Sequence, residues 1–315
     1  MKKKVLFIVN PVSGGKSKEG VPKLIGNYLD TAQFDATFNF SEGVTHAREL
    51  AKQAIGNYNM VVAVGGDGTV NEVASAIVNS DIALGIIPFG SGNGLARFLG
   101  IPMNVQGAVE TFNKTRVETI DSALFNGQPF FNMAGLGFDA HISNVFSQGK
   151  NAKKRGFYSY FKSSVQEILN YKSQSYHIAI DGKEYDREAF MLSFANSSQF
   201  GNNAHVSPKA SVQDGMLDVC VVKPFPLYKF PEMALRMFNK TADKSSYVEI
   251  IRGKHIEVSR KSEGPAHLDG EPQIIGTSVE IYIIPRSLNV VVGEGFERGE
   301  DTKNTWRSLV ASDND

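Results

Sequence analysis

Cysteine is nearly absent: 315 residues carry one, Cys220. No internal disulfide is available, and the setting of Cys220 among apolar neighbours reads as a buried strand, which fits a reducing compartment. Net charge is absent too, with 33 basic residues against 33 acidic ones, so no global field argues for a nucleic-acid partner. No apolar run approaches the length of a membrane-spanning helix. Lys2-Lys3-Lys4 before Val5-Leu6-Phe7-Ile8-Val9 imitates the start of a signal peptide, but the run is short and Asn10-Pro11 ends it. It is read as a first strand. His46, His141 and His205 show no metal-ligand spacing, and no Cys/His cluster exists. Two familiar phosphate fingerprints are also incomplete. Asn71 stands where the dinucleotide motif needs its third glycine, and Asn10 stands where a P-loop ending at Gly15-Lys16-Ser17 needs its first. The remaining expectation is a soluble or membrane-peripheral protein long enough for two domains.

What is present centres on Met60-Val61-Val62-Ala63-Val64-Gly65-Gly66-Asp67-Gly68-Thr69-Val70-Asn71-Glu72. Five apolar residues predict a buried strand. Val70, Val73, Ala74, Ile77 and Val78 recur at spacings of three and four, which predicts a helix with an apolar face, Thr69 serving as its N-cap. A strand, a glycine turn and a helix N-terminus make an anion site of backbone N–H groups and helix dipole. Asp67 would repel a bare phosphate but suits a magnesium ion, or its waters, beside a nucleotide.

The surrounding pattern predicts an α/β domain over residues 1–122. Strands at 5–9, 36–40, 60–64 and 82–87 alternate with helical stretches at 21–30 and from Ser41 through Ile55, arguing a parallel sheet flanked by helices. In such sheets ligands bind at the carboxyl ends of the strands. The loops at 10–15, 65–69 and 88–94 therefore converge on one crevice. The third, Pro88-Phe89-Gly90-Ser91-Gly92-Asn93-Gly94, offers free backbone and the short polar side chains of Ser91 and Asn93.

The Gly65–Thr69 motif, the segment 88–101 with Gly90-Ser91-Gly92-Asn93 and Ala96-Arg97, and the opening Asn10-Pro11-x-Ser13-Gly14 together resemble the diacylglycerol kinase catalytic domain family. That family includes bacterial lipid kinases and sphingosine and ceramide kinases, and NAD kinases share its GGDGT element. The resemblance implies the same two-domain plan, the first domain being of the NAD kinase/diacylglycerol kinase type. A β-rich, sandwich-like second domain is expected over 123–287, and the segment 288–315 is expected to return to the first domain. The pattern of residues supports this: a hairpin with a primed turn at Asp181-Gly182, and strands near 189–195, 217–222, 247–252, 254–259 and 278–284.

The resemblance also implies roles. Asn10, Pro11, Ser13, Gly14, Ser41, Gly65, Gly66, Asp67, Gly68, Thr69, Asn71, Glu72, Ser91 and Asn93 line the nucleotide, Ser41 by its match to a family threonine. Asp214 with the carbonyls of Ser211 and Met216 matches a structural magnesium site. In His267-Leu268-Asp269-Gly270-Glu271 the two carboxylates match the family's DGE motif. Either Asp269 or Glu271 then takes the proton of the attacking hydroxyl, beside Asp67. The expected activity is transfer of the γ-phosphoryl of ATP, with Mg2+, to a lipid hydroxyl, first of all diacylglycerol. A long-chain base, a monoacylglycerol, NAD, or a non-catalytic regulator are the alternatives. Many bacterial members carry aspartate where this chain has Gly94, which leaves the acceptor open. A cytoplasmic protein, peripheral at the inner face of the membrane and able to form a homodimer, would follow. Two surfaces suit anionic headgroups: Lys150-Asn151-Ala152-Lys153-Lys154-Arg155-Gly156-Phe157-Tyr158-Ser159-Tyr160-Phe161, and the loop Pro224-Phe225-Pro226-Leu227-Tyr228.

Overall fold

The computed structural model describes residues 2–15, 17–148, 167–168 and 171–297. The basic aromatic segment from Lys150 to Phe161 lies outside the described residues. In the first third of the chain, strands β1 (Lys3–Val9), β2 (Phe34–Phe40), β3 (Met60–Gly65) and β4 (Ala83–Pro88) alternate with α1 (Val21–Gly26), α2 (His46–Gln53) and α3 (Asp67–Ile77). Two more helices, α4 (Gly94–Phe98) and α5 (Val105–Asn113), follow β4. The four strands pair in parallel in the order β2-β1-β3-β4. Both β3 and β4 are buried from end to end, as expected of central strands covered on both faces. Their side chains and those of Val73, Ala74, Ile77, Ala108, Val109 and Phe112 form one core.

Strands β5 (Val117–Phe125), β6 (Gln128–Phe130) and β7 (Met133–Gly137) lead into α6 (Phe138–Gln148). Then come β8 (Gln174–Ile180), β9 (Lys183–Ala189), β10 (Met191–Ala195), β11 (Leu217–Val222) and α7 (Phe230–Phe238). The chain continues with β12 (Val248–Gly253), β13 (His255–Arg260), β14 (Gly264–Leu268), β15 (Glu271–Ile275) and β16 (Ser278–Val291). The predicted primed turn is present between β8 and β9, with Asp181 at φ 48° and Gly182 at φ 81°. A six-stranded sheet runs β12-β11-β10-β7-β14-β15, while β16, β13, β8 and β9 extend the first sheet to ten strands, with β5 and β6 beside them. Alternate residues of the two sheets meet in a second core around Phe125, Phe130, Tyr176, Phe194 and Ile281, the arrangement of a sandwich.

One long strand joins the halves. β16 pairs with β13 at its start and in parallel with β4 at Asn289 and Val290. Its side chains pass from the second core at Ile283 to the first at Leu288. Between them the register against β5 shifts, and Arg286 takes φ 51°; such a bulge bends a strand and re-aims its side chains. Asp121, fully buried on β5, holds the bulge: its carboxylate accepts from Arg286 N–H and Gly215 N–H, each at 2.8 Å. Burial pushes this carboxyl up, and the two N–H donors oppose the shift. Replacing it orphans both donors, at a cost of about 1–3 kcal/mol each. Asp121→Ala is therefore expected to lose about 2–4 kcal/mol in guanidinium unfolding, without a change in the fold of either sheet by circular dichroism.

Candidate active site

The three loops after β1, β3 and β4 meet through glycine backbones. A Cβ on Gly14, which holds φ 65°, would stand 2.1 Å from Phe89 O, and one on Gly90 would stand 2.7 Å from Gly66 Cα. Only hydrogen fits at these approaches. Asn10 Nδ2 donates to Thr69 Oγ1 at 2.9 Å, tying the first loop to the second. Helix α3 starts one turn earlier than expected. Gly66, in extended conformation, is its N-cap, and Asp67 is its first residue. Thr69 lies inside the first turn with its hydroxyl spent on Asn10, so it does not cap. The N–H groups of this first turn and the consecutive left-handed glycines 14 and 15 form a concave anion site.

Asp67 is the hub of the third loop. Its Oδ2 accepts from Asn93 N–H at 2.8 Å and its Oδ1 from Gly94 N–H at 2.9 Å, so it caps α4 from another element. Withdrawal from water raises its pKa to about 6, helped by the charge of Asp269 and opposed by the two amides. Asn93, expected to face the nucleotide, turns its amide inward. Nδ2 donates to Gly90 O at 2.7 Å, and Oδ1 accepts from Gly90 N–H at 2.9 Å. Its left-handed φ of 51° makes it the N-cap of α4. Ser91 is exposed beside it, whereas Ser41 is buried at the end of β2 with its N–H on Val9 O. Pro11 is exposed and Ser13 buried in the first loop, and Glu72 is half-buried on α3.

The two carboxylates of the β14–β15 turn arrive from the other sheet and do different things. Asp269 is buried at φ 47° and accepts four hydrogen bonds. Oδ1 takes Asn132 N–H at 2.9 Å and Met133 N–H at 3.0 Å; Oδ2 takes Phe131 N–H at 3.0 Å and Asn71 Nδ2 at 2.8 Å. A carboxylate has about four lone-pair sites, and all are filled. Burial raises its pKa, while these donors pull it back. Asn71, placed at the nucleotide by the sequence pattern, instead reaches across to Asp269 and to Pro129 O. Glu271 is exposed, and its Oε1 lies so close to Gly68 that a Cβ there would stand 2.7 Å away. The second carboxylate of the DGE turn thus rests on the phosphate loop.

Two features escaped the sequence reading. Lys18 is 1% exposed, its ammonium donating to Ser13 O and lying 5.0 Å from the centre of the Phe89 ring. Burial lowers its pKa. It sets a cation between the first and third loops. Behind the DGE turn, His267 Nε2 and Ser193 Oγ each lie 3.1 Å from Asp139 Oδ2, all buried, and Gly135 leaves the space they share. No local periodicity signals either.

The candidate cation sites differ. Asp67, Asp269 and Glu271 bring negative charge to one end of α3; burial is the main cause of the raised pKa of Asp67, and the charge of Asp269 adds to it. Oxygen donors of this kind suit magnesium. Both Asp67 oxygens already carry an amide, and each retains a lone pair for a water of the ion. At the other site Asp214 accepts from Met216 N–H at 3.0 Å, but its second oxygen is taken by the Arg252 guanidinium, whose Nε holds Asp218 at 3.0 Å. Burial raises the Asp214 pKa, Arg252 opposing and Asp218 and Asp121 adding to it. Ser211 and Met216, expected to add their carbonyls there, are both half-buried, and an ion at Asp214 would compete with Arg252.

Residues 4–125 match the model of the diacylglycerol kinase catalytic domain, and residues 132–292 that of the YegS C-terminal NAD kinase beta sandwich-like domain. A diacylglycerol kinase of Bacillus subtilis (strain 168) is 26% identical over 298 residues, covering 92% of this chain and 96% of its own. An uncharacterized protein of Synechocystis is 31% identical over 305 residues, or 90% of this chain and 69% of its own. A solved diacylglycerol kinase structure from Bacillus anthracis str. Sterne superposes with a TM-score of 0.72 at 22% identity, over 94% of this chain and 98% of its own. An NAD kinase from Archaeoglobus fulgidus in complex with ATP does so with 0.51 at 14% identity, over 98% and 99%. These last two share the fold. By the two matched models, which between them cover both sheets and every loop of the cleft, this chain belongs to the diacylglycerol kinase family of lipid kinases.

Proposed function

We propose that the protein transfers the γ-phosphoryl of ATP to the hydroxyl of a lipid, diacylglycerol being the first acceptor to try, with phosphatidic acid as product. The carrying observation is the Glu271 carboxylate against Gly68: it puts an unspent base at the mouth of an amide-lined phosphate site. The nucleotide phosphates rest on the N–H groups of residues 66–69 and 13–14, with Lys18 behind them. Magnesium, when bound through Asp67, neutralises charge on the transferred group. Glu271 takes the proton of the lipid hydroxyl as its oxygen bonds to the γ-phosphorus and the bond to the bridging oxygen of ADP breaks. Asp269 has no lone pair left to take a proton. Its part is to hold residues 131–133 and Asn71, and so to fix the turn that presents Glu271. Catalysis here is mostly positioning and charge neutralisation. The reading places the protein at the inner face of the membrane, where such acceptors reside; among the described residues no helix is long and apolar enough to cross it.

The test incubates purified protein with labelled ATP, Mg2+ and mixed micelles carrying diacylglycerol, monoacylglycerol or sphingosine, with NAD in a separate arm. Label in an organic-phase product, lost in Asp67→Ala, establishes the lipid kinase and ranks its acceptors. Label in NAD alone replaces the substrate and keeps the fold.

The two DGE carboxylates separate by variant. Glu271→Gln is expected to lower kcat by about 10²–10⁴-fold at unchanged Tm. Asp269→Asn presents an amide N–H to donors and is expected to lower both Tm and turnover. An unchanged Tm with lost turnover at position 269 would exchange the two roles.

Asp67 sets a pH limit. Its folded pKa of about 6 lies above the ordinary value of about 3.9, so its charge costs the folded state stability above pH 6, a cost relieved below. The charged form is the one that holds the third loop and a cation. Turnover measured from pH 5 to 8 at low Mg2+ is expected to rise as Asp67 ionises, over a range that moves to lower pH as Mg2+ is raised, while Tm does not fall with it on the acid side.

A further inference from the structure

Helix α7 and the turn that enters it present an apolar stripe to solvent. Tyr228 is 78% exposed, Leu235 59% and Leu227 49%; Pro231 and Phe238 are exposed as well. Tyr228, Pro231 and Leu235 follow at intervals of three and four, which is one face of a helix. A helix usually buries such a stripe. This one already buries its other side, where Met233 and Met237 pack on the outer face of the six-stranded sheet and Phe230 packs against Phe138 and Ile142 of α6. Scattered exposed apolar residues need no explanation, but a periodic stripe on one element does.

Charge says what covers it. The stretch 223–240 carries Lys223, Lys229, Arg236 and Lys240 against Glu232 alone, in a chain of zero formal net charge. Glu232 sits between Lys229 at 2.8 Å and Arg236 at 2.9 Å, and Lys223 leans on Glu249 at 3.3 Å. The excess beside the stripe is basic. An apolar stripe flanked by cations is the make-up of a segment lying in the interface of an anionic bilayer.

The layer beneath points the same way. Met233 and Met237 continue into Met133, Met191, Val206 and Phe200, and Met133 N–H is one of the donors on Asp269. Met133, Met191 and Met233 are buried there, so the helix is seated on a continuous apolar layer. The end of α7 is also tied to the phosphate loops: His205 N–H donates to Met237 O at 3.0 Å, and Asn202 N–H to Gly92 O at 3.3 Å. An acidic protein partner would account for the cations, but not for apolar packing that leads from the helix to Met133, beside Asp269.

We infer that the outward face of α7 is the surface on which this protein rests on an anionic bilayer. Tyr228, Pro231 and Leu235 enter the headgroup boundary, and Lys229, Arg236 and Lys240 meet lipid phosphates. This rests on the lipid-kinase reading of the cleft and adds where the acceptor is met.

The test is co-sedimentation, without ATP, with vesicles of phosphatidylglycerol and phosphatidylcholine in equal parts, or of phosphatidylcholine alone. Wild-type protein is expected on the anionic vesicles, less so as salt rises. Tyr228→Glu with Leu235→Glu is expected to weaken that binding about tenfold or more, at unchanged Tm and unchanged turnover of a dispersed short-chain diacylglycerol. Absence of wild-type binding, or a double variant that binds as well as wild type, overturns the inference. So does sedimentation of the wild type as a dimer that the double variant dissolves, since a second copy would then cover the stripe. Loss of vesicle binding in the variant with no lipid phosphorylated by either protein leaves the docking face standing and removes the kinase reading instead.

Discussion

The structure depends on the carboxylate of Asp269. Four donors converge on it from two places far apart in the chain, the backbone of residues 131–133 and the Asn71 side chain on α3. The three backbone bonds are buried and the one from Asn71 is partly so, and bonds to a carboxylate in such surroundings are strong. With them the sandwich turn is locked to the helix that carries the phosphate loop, and Glu271 is delivered to Gly68. Without them three buried amides and a side-chain amide would lose their acceptor together.

Asp67 repeats the device on a smaller scale, and the two acids are linked. Asp67 draws the third loop onto the second through Asn93 and Gly94, and Asp269 draws the second half of the molecule onto α3. Burial is the main cause of the upward shift at Asp67, and the charge of Asp269 adds to it. Two buried anions close together at an amide-lined helix start are costly in isolation. The magnesium nucleotide proposed for this cleft would bring a cation to them.

The strand-turn-helix at residues 60–77 was legible because burial, glycine and 3.6-residue periodicity all agree there, and the parallel sheet followed from its repetition. The hairpin at Asp181-Gly182 was legible for the same local reason. Helix α3 began earlier than expected because Gly66 caps by conformation and Thr69 is claimed by Asn10. The inward turn of Asn93, the reach of Asn71 over 198 positions, Lys18 under Phe89 and the Asp139–His267 pair depend on contacts between elements distant in sequence, and no periodicity encodes them. On residues alone, Asp269-Gly270-Glu271 reads as a solvated turn. Only its likeness to a family motif lifted it, and the four donors supply the physical reason.

Gly94, where many bacterial members have aspartate, has its own cause in this fold. A Cβ there would lie 2.5 Å from Asn132 Nδ2 and 2.7 Å from Phe200 O. The loop that follows β10 packs onto the third phosphate loop at this point, Gly201 against Gly92 and Asn202 N–H on Gly92 O. A side chain at 94 would push that loop away and take Asn132, one of the residues holding Asp269, with it. The place a side chain would fill is therefore filled by backbone of the loop that follows β10. That loop is held in turn to α7 by His205 N–H on Met237 O.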